Sequence, residues 1–382
     1  MALRILAFLA LSLAAFADEA HPTLTIGSPA PDFALPGVDG RVHNLAEYSK
    51  SKVLAIVFTC NHCPTAQLYE GRIKKLAADY KDKGVALVAI EPNYYKAVRL
   101  DELGYTDVSD SLEEMKIRAA YAHFNFPYLY DGDTQAIAQL YGPKATPHVF
   151  IFDQQRKLRY EGHVDNSQRE SLVKTQDARD AIEALLAGKP VAAESTNVFG
   201  CSTKWKSKED GRQKEMQKIQ AEPVSLEMAD AGTLKKLRAN PTGKVLLVNF
   251  WATWCGPCVT EFADLEETFR MFRRRDFDMV TVSTNQPDEK PGVMKLLEKE
   301  HASGRNLQFA SDDTAAMQTA FDAKWRSAVP FTMVIAPDGK VLYQHEGELD
   351  ILEVRRVILA NLPDLDYVGH RAYWAASVYG KP

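Results

Sequence analysis

The stretch FWATWCGPC, Phe250–Cys258, decides how this sequence is read. It places two cysteines three positions apart, behind the apolar run VLLVNFWA (245–252) and ahead of a segment with helical spacing. A strand running straight into Cys-x-x-Cys at the start of a helix puts the first sulfur beside unpaired backbone N–H groups. The helix dipole there favours thiolate over thiol. The second cysteine lies one turn on, close enough to attack a mixed disulfide and release its cargo. Upstream, FTCNHCPT (58–65) repeats the arrangement behind VLAIVF (53–58), with Asn61-His62 standing where Gly256-Pro257 stand in the other pair.

The surroundings of the two pairs repeat as well. Periodicity predicts strands at 53–58, 85–91, 148–153 and 157–162, with helices at 64–80, near 136–141 and at 177–188. In the second half it predicts a strand at 245–252, a helix from Cys255, a strand at 279–284 and a helix near 314–321. A hairpin about Asp338-Gly339 (331–347) and a helix at 351–362 complete that half. The order strand, cysteine pair, helix, strand, helix, hairpin, helix thus occurs twice. It predicts an α/β protein of two like domains, each a central mixed β-sheet flanked by helices. A polar, Lys/Glu-rich stretch at 189–222 separates them. In each half a proline opens the strand expected to face the cysteines, Thr146-Pro147 in the first and Val329-Pro330 in the second. Proline cannot donate to a ladder, and a cis peptide there would bring backbone against the sulfurs.

Composition narrows the function. Arg4 precedes a 13-residue apolar run ending in Ala15-Phe16-Ala17, the pattern of a secretory leader over residues 1–17. The run is short of the roughly 20 residues that span a bilayer. The expectation is an exported, periplasmic or otherwise extracytoplasmic protein with no stable membrane anchor after cleavage. Without the leader the formal charge is 45 minus 51, or −6. That balance offers no basic patch for nucleic acid and no polybasic segment for anionic lipid. Five cysteines in so long a chain, as two tight pairs and the single Cys201, make a poor structural framework and a good set of reactive thiols. Either pair could also be half of a zinc site, but each lacks a further cysteine nearby.

WATWCGPC followed by Glu261, then VPFTMVIAPDGKV, resembles the exported thioredoxins of the TlpA/ResA group, over residues 223–363. The resemblance implies a thioredoxin-like fold in which Trp254 flanks the nucleophile and Glu261 assists proton transfer. The other half, 22–205, is similar to redoxin domains of the AhpC/TSA superfamily through IGSPAPDFALPGVDGRVHNLAEY, FTCNHCPTA, YGPKATPHVFIFD and FGCSTKWK. Residues 206–222 are then a linker and 364–382 an aromatic tail, expected to pack back on a domain.

The favoured activity is thiol–disulfide exchange by two thioredoxin-like domains, on thiol or disulfide protein substrates and with a redox partner the sequence does not name. Cys60 and Cys255 attack; Cys63 and Cys258 resolve. His62 tunes the first pair, and Thr146, Pro147, Val329 and Pro330 receive substrate beside Trp254. No separate organic cofactor is required, because the electrons sit on the cysteines. Two rivals stand. The superfamily contains peroxiredoxins, and Cys63-Pro64-Thr65 sits where their reactive cysteine would; Cys60, however, replaces the threonine that holds peroxide, and Ile56 the proline. A copper or zinc carrier would need Cys60, His62, Cys63 and His148 to converge. Cys201 is expected to be a buried, inert thiol.

Overall fold

A computed structural model describes residues 21–362, so the expected leader and aromatic tail lie outside the described residues. Two open sheets form the framework. In the first, strands lie in the order Tyr128–Tyr130, Val85–Glu91, Val53–Phe58, His148–Phe152, Leu158–Gly162. The first three run parallel, and the last two form an antiparallel hairpin against Val53–Phe58. In the second sheet the order is Glu227–Ala229, Arg305–Phe309, Phe277–Ser283, Val245–Trp251, Phe331–Ile335, Val341–Glu346. Four strands are again parallel, closed by an antiparallel hairpin. Each is the mixed sheet that the repeated pattern predicts.

The central strands show why the apolar runs read so clearly. Along Val53–Phe58, residues 53, 55 and 57 enter one core, while Leu54, Ile56 and Phe58 enter another on the opposite face. Val245–Trp251 divides likewise, Val245 and Leu247 to one side, Leu246, Val248 and Phe250 to the other. A strand covered on both faces has no polar side, so its sequence is continuously apolar. Each large side chain so buried contributes about 1.5–3 kcal/mol.

Several elements escape the sequence reading. Helices Leu112–Tyr121 and Lys290–Lys299, the edge strand Tyr128–Tyr130 and the inner strand Arg305–Phe309 add to the two units. The polar stretch before the second sheet contains the helix Glu209–Gln220, which sends Met216 and Ile219 into the core beneath that sheet. Val98, Leu100 and Leu103 of the first unit join the same core. Around them Arg275 donates to the Gly104 carbonyl at 2.7 Å and Arg356 pairs with Asp107 at 2.7 Å. A Cβ on Gly104 would stand 2.5 Å from the Met271 carbonyl oxygen, so only glycine permits this approach. No helix among the described residues is long and apolar enough to cross a membrane.

Candidate active sites

In the second unit, Cys255 is the N-cap of the helix Gly256–Phe272. Gly256 and Pro257 start that helix; proline is suited to a first turn, where its missing N–H costs nothing. The turn brings Cys258 back to Cys255, and the two are joined as a disulfide with Cα atoms 5.3 Å apart. Cys255 Sγ lies 3.5 Å from the carbonyl oxygen of Val329, which precedes the cis bond to Pro330. Trp254 is 66% exposed beside this pair, the most exposed of the large apolar side chains among the described residues. Glu261 lies one turn beyond Cys258 and is buried. It accepts from Asn249 Nδ2 at 3.3 Å and from the Leu349 amide at 3.2 Å. Burial drives its pKa up to about 7, against those two hydrogen bonds and with help from Glu348 and Asp264.

The first unit departs from the expectation that its first sulfur caps the helix. The helix runs Pro64–Tyr80, and the N-cap is Cys63. The position of proline explains the difference. In CGPC it precedes the second cysteine, whereas in CNHCP it follows it, and the helix starts at the proline in the second case. Cys63 Sγ therefore accepts from the Ala66 amide at 3.4 Å and from the Cys201 amide at 3.3 Å. Cys60 lies three residues before, 3.0 Å from Thr146 Oγ1. Thr146 precedes the cis bond to Pro147, and its carbonyl oxygen is 3.3 Å from Cys63 Sγ. Burial opposes ionisation of Cys63, but hydrogen bonds from Cys201 and Cys60, the charge on His62 and the Ala66 amide outweigh it. The Cys63 thiol is thereby held well below the ordinary range. Burial pushes the Cys60 thiol well above that range, aided by its hydrogen bond to Cys63 and by Asp110 and Glu91.

A buried carboxylate anchors the turn between these cysteines. Asp110 accepts the Asn61 and His62 amides at 3.0 Å each, Asn93 Nδ2 at 2.9 Å, and lies 2.5 Å from His62 Nδ1. Burial lowers the His62 pKa, but the adjoining Asp110 raises it further, for a net upward shift. The other ring nitrogen of His62 is buried without a hydrogen-bond partner. Behind Asp110, Glu91 accepts from the Asn93 amide and from Tyr128. Burial, then the Asp110 charge, raises the Glu91 pKa well above the ordinary carboxylate value. Sequence reasoning missed Asp110 and Glu91. Glu91 carries a faint signal as a lone acid closing the apolar run VALVAIE; Asp110, nearly fifty residues downstream, has none.

The ligand set imagined for a metal carrier does not assemble. His148 turns away from the thiols: its Nδ1 accepts the Lys144 amide at 3.2 Å and its Nε2 meets Glu161 at 2.8 Å. Among the described residues, the grouping close enough to share a cation is Cys60, His62 and Asp110, and Asp110 already accepts four hydrogen bonds.

Fold and sites together define a tandem of two thioredoxin-like units, each with a Cys-x-x-Cys against a cis-proline loop. The Redoxin family profile matches twice, over residues 25–182 and 214–357, and the chain belongs to that family. It is 31% identical over 100 residues to the thiol-disulfide oxidoreductase ResA of Bacillus subtilis (strain 168), covering 26% of this chain and 51% of that protein. The chain thus spans about half the length of the curated relatives it matches. Among solved structures, hypothetical protein SMc02350 from Sinorhizobium meliloti 1021 is 34% identical, covering 49% of this chain and 97% of that one, with a TM-score of 0.43. An uncharacterized conserved protein from Geobacillus kaustophilus is 37% identical, covering 48% and 93%, with a TM-score of 0.42.

Proposed function

We propose that the chain is an exported thiol–disulfide oxidoreductase that exchanges disulfides with thiol or disulfide substrates at two separate sites. The observation that carries this reading is a cysteine at a helix N-cap in each half, with a second sulfur within one turn and a cis-proline loop alongside. That position supplies thiolate, and the neighbour supplies the resolving thiol. Cys255 attacks and Cys258 resolves; in the first site Cys63 is the better nucleophile and Cys60 its partner. The relative named a thiol-disulfide oxidoreductase and the family assignment agree with thiol chemistry.

A second reading, thiol peroxidase, is favoured by one observation: the helix-capping Cys63 is followed by Pro64-Thr65, as the reactive cysteine of a peroxiredoxin would be. The same preparations decide between the two. With dithiothreitol as reductant, the full chain should turn over insulin disulfides and consume hydrogen peroxide slowly. Rapid peroxide consumption that survives Cys60→Thr would assign the first site to peroxide instead.

Glu261 is the proton acceptor proposed for Cys258. With its pKa at about 7, the carboxylate form grows as pH rises through neutrality. Insulin reduction through the second site should climb over that range, and Glu261→Gln should flatten the climb and slow the plateau about tenfold. Stability runs in the opposite sense. The folded-state pKa lies above the unfolded one, so the folded state holds the proton more tightly and loses stability as pH rises from about 4.3 towards 7. Glu261→Gln should remove that loss. A Gln variant with the parent's pH profile would exclude Glu261 from proton transfer.

A further inference from the structure

We propose that Cys201 is a third redox cysteine, a second resolving thiol for Cys63 that competes with Cys60. The proposal rests on the reading of the first site as a thiol–disulfide exchanger.

The three sulfurs belong to one buried cluster, Cys60, Cys63, Ala66 and Cys201. Cys63 is the member in contact with both others. Cys201 donates its amide to Cys63 Sγ at 3.3 Å, and its side chain belongs to the same buried cluster as that sulfur. Cys60 lies in the same cluster, three residues before Cys63, with its Sγ 3.0 Å from Thr146 Oγ1. The three sulfurs do not form one of the close groupings able to share a cation among the described residues, which argues for a chain of thiols and not a metal cage.

The backbone has been built to bring Cys201 there, although it is 138 residues from Cys63. Cys201–Ser202 forms a short strand against Ala145–Thr146, with Cys201 opposite Thr146, the residue that also contacts Cys60 and Cys63. Gly200 permits the approach, since a Cβ on it would lie 2.0 Å from the Thr146 carbonyl oxygen. Thr203 then anchors the far end by donating to the Pro143 carbonyl at 2.7 Å. An inert core thiol needs none of this; a small apolar residue would fill the space equally well.

The exchange balances without a further reagent. The Cys63 thiolate attacks one sulfur of the substrate disulfide; that S–S bond breaks, and the other substrate sulfur leaves as thiolate and takes a proton. Cys201 gives up its proton and attacks Cys63 Sγ. The bond from Cys63 to substrate breaks, and the second substrate thiol departs. The substrate gains two electrons, which Cys63 and Cys201 supply in forming their disulfide. Attack of Cys60 on Cys63 Sγ can then move the disulfide to Cys60–Cys63 and restore the Cys201 thiol, with no net oxidation.

Full-length protein, fully reduced and then exposed to oxidised glutathione, should be quenched in acid, alkylated and mapped by peptide mass spectrometry. Cys60→Ser, whose hydroxyl keeps the Thr146 contact, should carry a Cys63–Cys201 disulfide in most molecules, with little glutathione on Cys63. Adding Cys201→Ala should raise glutathione on Cys63 about tenfold. Near-ultraviolet circular dichroism identifies variants that retain the fold, and mapping of the unsubstituted protein gives the second measurement, where a minor Cys63–Cys201 species should accompany Cys60–Cys63. If Cys60→Ser holds as much glutathione on Cys63 as the double variant, with Cys201 alkylated, the proposal is overturned while the exchanger reading stands. If the unsubstituted protein links none of the three cysteines, the exchanger reading of this site fails with it.

Discussion

Full-length protein carrying Cys258→Ser should accumulate a covalent adduct with its disulfide substrate through Cys255, while Cys255→Ser should form none. The asymmetry follows from where the helix begins. Cys255 holds the N-cap of Gly256–Phe272, and its sulfur is 3.3 Å from the Cys258 amide. An orphan N–H and the positive end of the helix stabilise charge on that sulfur and not on Cys258, which sits inside the first turn and is buried. Cys255 is also the sulfur adjoining the exposed Trp254 and the Val329 carbonyl, so an incoming chain meets it first. A serine hydroxyl stays protonated where a thiolate acts, so Cys255→Ser should lower insulin reduction by this site by roughly a thousandfold or more. Loss of Cys258 leaves the first attack intact and removes the step that frees the substrate. Adducts separated on non-reducing gels and identified by mass spectrometry read this directly. Trapping by Cys255→Ser instead would reverse attacker and resolver.

The contrast between the halves shows how far sequence carries. Val53–Phe58 and Val245–Trp251 were legible because both faces are covered, which leaves an unbroken apolar run. The helices Pro64–Tyr80 and Thr314–Phe321 follow from apolar spacing and stop where the sequence predicts. Glu209–Gln220 did not stand out, because Ile219 is its one buried residue and, apart from the half-buried Met216, its surface is polar. The strand Tyr128–Tyr130 is three residues long, too short for a period to register. In the sites, the cysteine pairs and the prolines announce themselves by local spacing. Asp110, Glu91 and the placing of Cys201 do not, since each reaches the thiols across the fold. A local signal was available for the shifted helix start: proline after the second cysteine, not between the two. The helix start at Pro64 itself makes Cys63, not Cys60, the residue before the helix.

The two sites should differ in reduction potential, with the first the more oxidising, and His62→Gln should lower the potential of the first. A site is oxidising when its reduced form is held tightly, and the reduced form is held tightly when its thiolate is stabilised. At Cys63 that stabilisation comes from hydrogen bonds and from the His62 cation, working against burial. Asp110, 2.5 Å from His62 Nδ1, favours the cationic form of His62 against burial, and Asp110 is fixed by two backbone amides and Asn93. Gly256 and Pro257 offer the second site no charge in the same place. Replacing His62 by glutamine leaves the amide hydrogen bonds to Asp110 available and removes the cation. Each ~1.4 kcal/mol lost from the reduced form corresponds to ~30 mV for a two-electron couple. The first site should therefore fall by on the order of 30 mV or more against glutathione buffers, and His62→Pro, which imitates the other motif, should fall at least as far. The thiolate absorbance of Cys63 should shift to higher pH in step. A merely structural histidine would change the melting temperature and leave both readings where they were. Buried, unpaired Asp110 should itself cost the His62→Gln protein about 3–5 kcal/mol, so potentials are to be compared at a temperature where the variant remains folded. Should the potential hold steady while the protein loses stability, charge beside Cys63 would not be what separates the two sites.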